Sequence, residues 1–211
     1  MSDRFADLTK LPTAPAARLL AEKGHKLGTP LEVSAAAPVG VVLRHLERES
    51  AWVDVVRLLA VALPPREAVW WACLAGRDLV GKAEPTPCLK AAEAWVMRPG
   101  EESRVQLQTA IDAADMDDDT ALLATAALYA PGTLGPGDMD KLPAPPAAVP
   151  SCVFAMNMKS MAAAPDPLAR QQWLIDRALD IARGGNGRVA EPAPAPGTEP
   201  APEPAIEKEA G

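Results

Sequence analysis

A chain of 211 residues with 48% apolar content can bury the core of one ordinary domain and still leave a tail. Its formal charge of −7 argues against a phosphate-binding surface, so no nucleic-acid role is expected. Three widely spaced cysteines, Cys73, Cys88 and Cys152, include no Cys-x-x-Cys pair and read as free buried thiols in a reducing cytoplasm.

The apolar fraction is mostly alanine and leucine, aromatics are only 4%, and β-branched residues appear singly, all of which favours helix over strand. The 23 prolines fall between the helical segments and near the C-terminus, where they punctuate structure instead of opposing it. The N-terminus carries charges where a signal peptide needs an apolar stretch, and no apolar run approaches the roughly 18 residues that span a bilayer, so neither a cleaved export signal nor a membrane role is expected.

Residues 1–12 read as an irregular lead-in. Thr13 and Pro15 then predict a first helix that stops at Gly24, and a polar loop follows through Pro30. Pro38 opens an amphipathic helix with Val41, Val42, Leu43 and Leu46 on one side. Ser50 is the expected N-cap of the next, Ala51 to Leu63, whose apolar residues on nearly every side predict a central helix.

Pro64-Pro65 breaks that helix, and Arg66 restarts the chain with Glu67 placed to meet the positive end of the helix dipole. Thr86-Pro87 starts another helix, which Pro99-Gly100 stops. Two more follow, from Glu101 and after Asp117 to Asp119, ending at Pro131-Gly132. Residues 132–150 read as a long loop, and final helices are predicted over Ser151 to Ala163 and Asp166 to Arg183.

Residues 186–211, nearly all Ala, Pro and Glu, have the composition of a disordered tail, with a short docking motif around Ile206 as the alternative to a plain spacer. The predicted fold is therefore all-α, about eight helices over residues 13–185. Proline stops at intervals of about 35 and 32 residues leave open a short stack of helix pairs as well as an irregular bundle.

Catalytic chemistry finds little support. No His or Cys pair has helical metal-ligand spacing, and the run Asp112, Asp115, Asp117, Asp118 and Asp119 lacks the central glycine and closing glutamate of a calcium loop, so no metal or cofactor is expected. An enzyme or small-ligand binder would have to gather His45, Glu67 and Cys73 into one pocket from separate parts of the chain. Trp70 and Trp95 read as core. Trp71, about 100° further round its helix, is the candidate for an exposed partner contact, together with Arg66.

The stretch Ala62-Leu63-Pro64-Pro65-Arg66-Glu67-Ala68-Val69-Trp70-Trp71-Ala72-Cys73 resembles a bacterial domain family of unknown function. The resemblance extends to Glu93-Ala94-Trp95-Val96 with Pro99 and to Leu179-Asp180-Ile181-Ala182-Arg183-Gly184, covering roughly residues 30–185. Members carry Trp-Ser-Gly-Gly-Ser where this chain has Tyr129-Ala130-Pro131-Gly132-Thr133, so no role of that loop carries over. The resemblance brings no activity. It implies an accessory or adaptor role alongside type VI secretion components.

Together these readings lead to the expectation of a cytoplasmic, non-enzymatic protein-interaction domain. It would present Arg66, Trp71 and the 132–150 loop to a protein partner, a secretion component or cargo. A structural or assembly subunit is the other alternative.

Overall fold

A computed structural model describes residues 3–191, and among these the architecture is all-α. Nine α-helices follow in order: α1 (Ala16–Glu22), α2 (Val39–Arg48), α3 (Trp52–Ala62), α4 (Pro65–Val80), α5 (Pro87–Met97), α6 (Glu101–Asp112), α7 (Ala121–Tyr129), α8 (Ala148–Ala162) and α9 (Pro167–Ala182). Of the tail expected over 186–211, residues 192–211 lie outside the described residues.

The punctuation has local causes. Pro65 occupies the first turn of α4, where its missing N–H costs no hydrogen bond, and Gly81 ends the helix at φ 62°. The Thr86 side chain caps α5 by accepting from the Leu89 N–H, and Asp166 caps α9 by accepting from the Leu168 and Ala169 N–H groups. Ser50 is not the cap expected for α3. Ala51 takes that place, and Ser50 sits in the left-handed region at φ 54°, where it turns the chain between α2 and α3.

Two expectations about helix limits are corrected. α1 starts at Ala16 behind Pro15, not at Thr13. α8 starts at Ala148 rather than Ser151, because Pro150 falls in its first turn and obstructs nothing there.

α4 and α8 lie side by side at the centre. α4 also packs on α5, α7 and α9, while α8 also packs on α3, α7 and α9. Contacts of α8 with α3 and α4, distant in sequence, are absent from a stack in which each unit touches only its neighbours, so the fold is an irregular bundle. α3 is buried from Val55 to Ala62 except at Arg57, as its composition predicts, though it shares the interior with α4 and α8. Gly76 of α4 permits the close approach of α7: a Cβ there would lie 2.6 Å from Leu123 Cδ1.

Among the described residues the lead-in has no helix but is firmly held. Phe5 is buried, Lys10 N–H donates to Ala182 O at 2.8 Å, and Arg4 pairs with Asp176 of α9 and Glu47 of α2. The domain also extends past the boundary expected at residue 185. Trp173 Nε1 donates to Val189 O at 3.1 Å, and Arg170 pairs with Glu191 at 3.3 Å, so residues 186–191 lie against the bundle.

Candidate functional site

The break at Pro64-Pro65 sets the first turn of α4 beside the end of α5. There Arg66 Nε donates to Val96 O at 2.7 Å, one of the last carbonyls of α5 and thus without a partner inside its own helix. Glu67, at the positive end of the α4 dipole, accepts from Lys10 Nζ at 3.1 Å. One turn on, Trp70 is half-buried, and its Nε1 donates to Asn186 O at 2.7 Å.

Asn186 is brought there by a turn wrapped around Asp180. Gly185 N–H donates to Asp180 O, and Gly187 N–H to Asp180 Oδ2, both at 2.8 Å. A Cβ at Gly185 would collide with the Asp180 carboxylate, and Gly187 sits at φ 71°, so glycine is required at both places. The turn is thus a structural clasp. It carries Arg188 to within 5.8 Å of the Trp70 ring centroid.

These elements enclose an open cleft of about 370 Å³ lined by Lys10, Arg66, Glu67, Trp70, Val96, Met97, Ile181, the Gly184-Gly185-Asn186 turn and Arg188. Met97 on its rim is 74% exposed. The side chains offered are an aromatic floor, an aliphatic edge, two guanidinium groups and the Lys10–Glu67 ion pair.

Arg66 therefore stands where the sequence reading placed it, on the surface, and Trp71 does not. Trp71 is fully buried, with Nε1 donating to Leu174 O of α9 at 2.9 Å. The step of about 100° between neighbouring helical residues turns Trp71 into the α9 contact and leaves Trp70, expected in the core, at the cleft. Trp95 is buried as expected.

The alternative pocket of His45, Glu67 and Cys73 is not formed. His45 is buried, with Nε2 3.3 Å from Pro30 O, Glu67 faces Lys10, and Cys73 lies in the interior. The cleft contains Glu67 but neither His45 nor Cys73. Burial pushes the Cys73 thiol far up, and the nearby Glu93 adds to this against an opposing effect of Arg77, which leaves it a poor nucleophile.

The 132–150 loop contributes nothing to the cleft either. It is pinned elsewhere by the buried Arg104, whose Nη1 donates to Asp140 Oδ1 at 2.6 Å and Nη2 to Thr133 Oγ1 at 2.7 Å. Leu134 N–H donates to Leu142 O and Ala144 N–H to Gly132 O, so the stretch folds back on itself around a 3-10 turn, Gly137–Lys141.

The acidic run borders a second hollow of about 430 Å³ between the start of α5 and the turn before α7. Two of its carboxylates have protein partners. Asp118 accepts from the Thr120 N–H and hydroxyl, and Asp119 pairs with Lys159 at 2.6 Å. Cys88 faces this hollow with its thiol pushed up to about 11 by burial and by Asp118. Among the described residues no group of three or more His, Cys, Asp or Glu is gathered to hold a metal, and no helix is long and apolar enough to cross a membrane.

Sequence reasoning missed Lys10, Met97, Asn186 and Arg188. Met97 could have been noticed as a large apolar residue left at the very end of α5, and Arg188 as the cation that follows the glycine run. Lys10 gives no local signal.

Comparison with known families places residues 42–182 within a family of unknown function, DUF6931. The chain belongs to that family. No curated protein and no solved structure matches the chain. The match ends at Ala182, so the family region supplies Arg66, Glu67, Trp70, Val96, Met97 and Ile181, while Lys10 and Arg188 reach the cleft from the segments flanking it.

Proposed function

We propose that the chain is a non-enzymatic protein-interaction domain that takes a short segment of a partner protein into the cleft beside Trp70. One observation carries this reading. The three stretches on which the family resemblance rests, 62–73, 93–99 and 179–184, are far apart in sequence, and all three line the same cleft. A half-buried tryptophan, an exposed methionine and an arginine anchored by a single nitrogen form the side-chain set that dominates binding energy at protein interfaces. The scattering of His45, Glu67 and Cys73 supports binding over catalysis. Components of a bacterial secretion apparatus or its cargo, suggested by the family resemblance, are the first partners to test for an adaptor.

The test uses immobilised full-length chain and the variants Trp70→Ala and Arg66→Ala, each checked for its helical circular dichroism. A partner from native extract, or a purified secretion component, should bind the unaltered chain and be held at least ~10-fold less tightly by both variants, a loss of about 1.4 kcal/mol. Equal capture by all three would sink the assignment to this cleft.

A further inference from the structure

The structure describes a cleft with unspent charge. Arg66 uses Nε on Val96 O, and its two terminal nitrogens have no hydrogen-bond partner among the described residues, a fork ready for a carboxylate. Arg188 lies over Trp70 and forms no ion pair among the described residues. Lys10 and Glu67 neutralise each other. The cleft is thus a cationic, partly apolar spot on a chain whose formal charge is −7.

On these grounds, and resting on the reading of this cleft as a peptide-binding site, we propose that its resident occupant is the chain's own acidic C-terminal segment around Ile206. A partner segment must displace it. Residues 192–211 contain four glutamates against one lysine, Lys208, and Ile206 is their one large aliphatic side chain. Glu203 and Glu207 flank Ile206, so an aliphatic group for Met97 and Trp70 arrives with carboxylates for Arg66 and Arg188 on either side.

The route is short. Arg188 lines the cleft, and the described chain ends three residues later at Glu191, still tied to Arg170. The dozen residues from Glu191 to Glu203 reach roughly 35 Å at the ~3.1 Å per residue of a proline-rich chain. Pro196-Gly197 provides a pair suited to reversing direction on the way. Tethering supplies an effective concentration in the millimolar range, enough for a contact too weak to form between separate molecules. The cost to a partner is the fraction of time the cleft is filled.

The experiment uses the full chain, isotope-labelled, with Cys152→Ser to remove the half-buried thiol and Lys208→Cys to carry a nitroxide. Broadening of the Trp70 indole N–H resonance is expected, independent of protein concentration over a tenfold range. It should vanish when Ile206→Ser, Glu203→Lys and Glu207→Lys are introduced together. No broadening overturns the proposal. Broadening that appears only on mixing labelled chain with separate nitroxide-bearing chain also overturns it, since the segment then docks between copies.

Partner capture by the same triple variant, without the nitroxide, should rise several-fold, and unchanged capture counts against self-occupancy. If broadening is absent while capture still depends on Trp70 and Arg66, this inference fails and the partner-binding reading stands.

Discussion

The two sides of α4 that Trp70 and Trp71 occupy differ in almost everything except residue type. Trp71 is enclosed between α4 and α9, and its indole N–H is satisfied by Leu174 O inside the bundle. Trp70 rests under a glycine turn, its N–H satisfied by Asn186 O, with one face left to the cleft. In both cases the C-terminal region of the chain supplies the acceptor, but α9 covers its tryptophan and the turn only borders the other. What separates core from site here is which neighbour arrives, a property that the tryptophans themselves do not encode.

The largest test of this division is Trp71→Ala, which should cost about 3–5 kcal/mol in a denaturant titration. A cost under ~1.5 kcal/mol would mean that the two sides are not distinct. Gly76→Val, on the buried side, should destabilise by about 1–3 kcal/mol despite removing a helical glycine, because the new side chain meets Leu123. Cleft binding by that variant should be intact wherever it remains folded.

Asp180→Ala removes the carboxylate that accepts from the Gly187 N–H and so loosens the turn beyond Gly185, at a cost of about 1–2 kcal/mol, while the bonds to the backbone O of residue 180 remain. The decisive readout is local. Trp70 emission should move to the red as Asn186 departs, while a Trp70→Phe, Asp180→Ala chain shows no such shift. Smallest in stability is Arg66→Lys, expected to cost about 0.5–1 kcal/mol because the residue is exposed and loses only the Nε bond to Val96 O. Its partner capture should nevertheless weaken, since lysine keeps the charge but not the planar fork.

Helix-level organisation was legible because it is written locally. Proline pairs, caps such as Thr86 and Asp166, and terminal glycines such as Gly81 act within a turn of where they stand. Pro150 misled the reading of α8 because a proline marks a first turn as readily as a stop. The cleft was only partially legible. Arg66 could be named from its position after Pro64-Pro65, but the exchange of roles between Trp70 and Trp71 depends on α9, about 100 residues away. Residues 186–191 were misjudged because they adjoin the Ala/Pro/Glu stretch that follows, although Asn186, Gly187, Arg188 and Val189 differ from it in composition. What holds them is donation from the Trp70 and Trp173 indoles and acceptance of the Gly187 N–H by the Asp180 carboxylate, which composition does not register.

The lead-in and the last turn of α9 meet through Lys10 N–H on Ala182 O, and the Arg183 side chain donates to Ala6 O and Arg4 O. Under tension applied to the two ends of the described chain, these few bonds and the turn around Asp180 bear the load before α4 or α8 does. Lys10 and Arg188 would be drawn from the cleft while the bundle still stood, so a pull on the chain would empty the site without unfolding the domain.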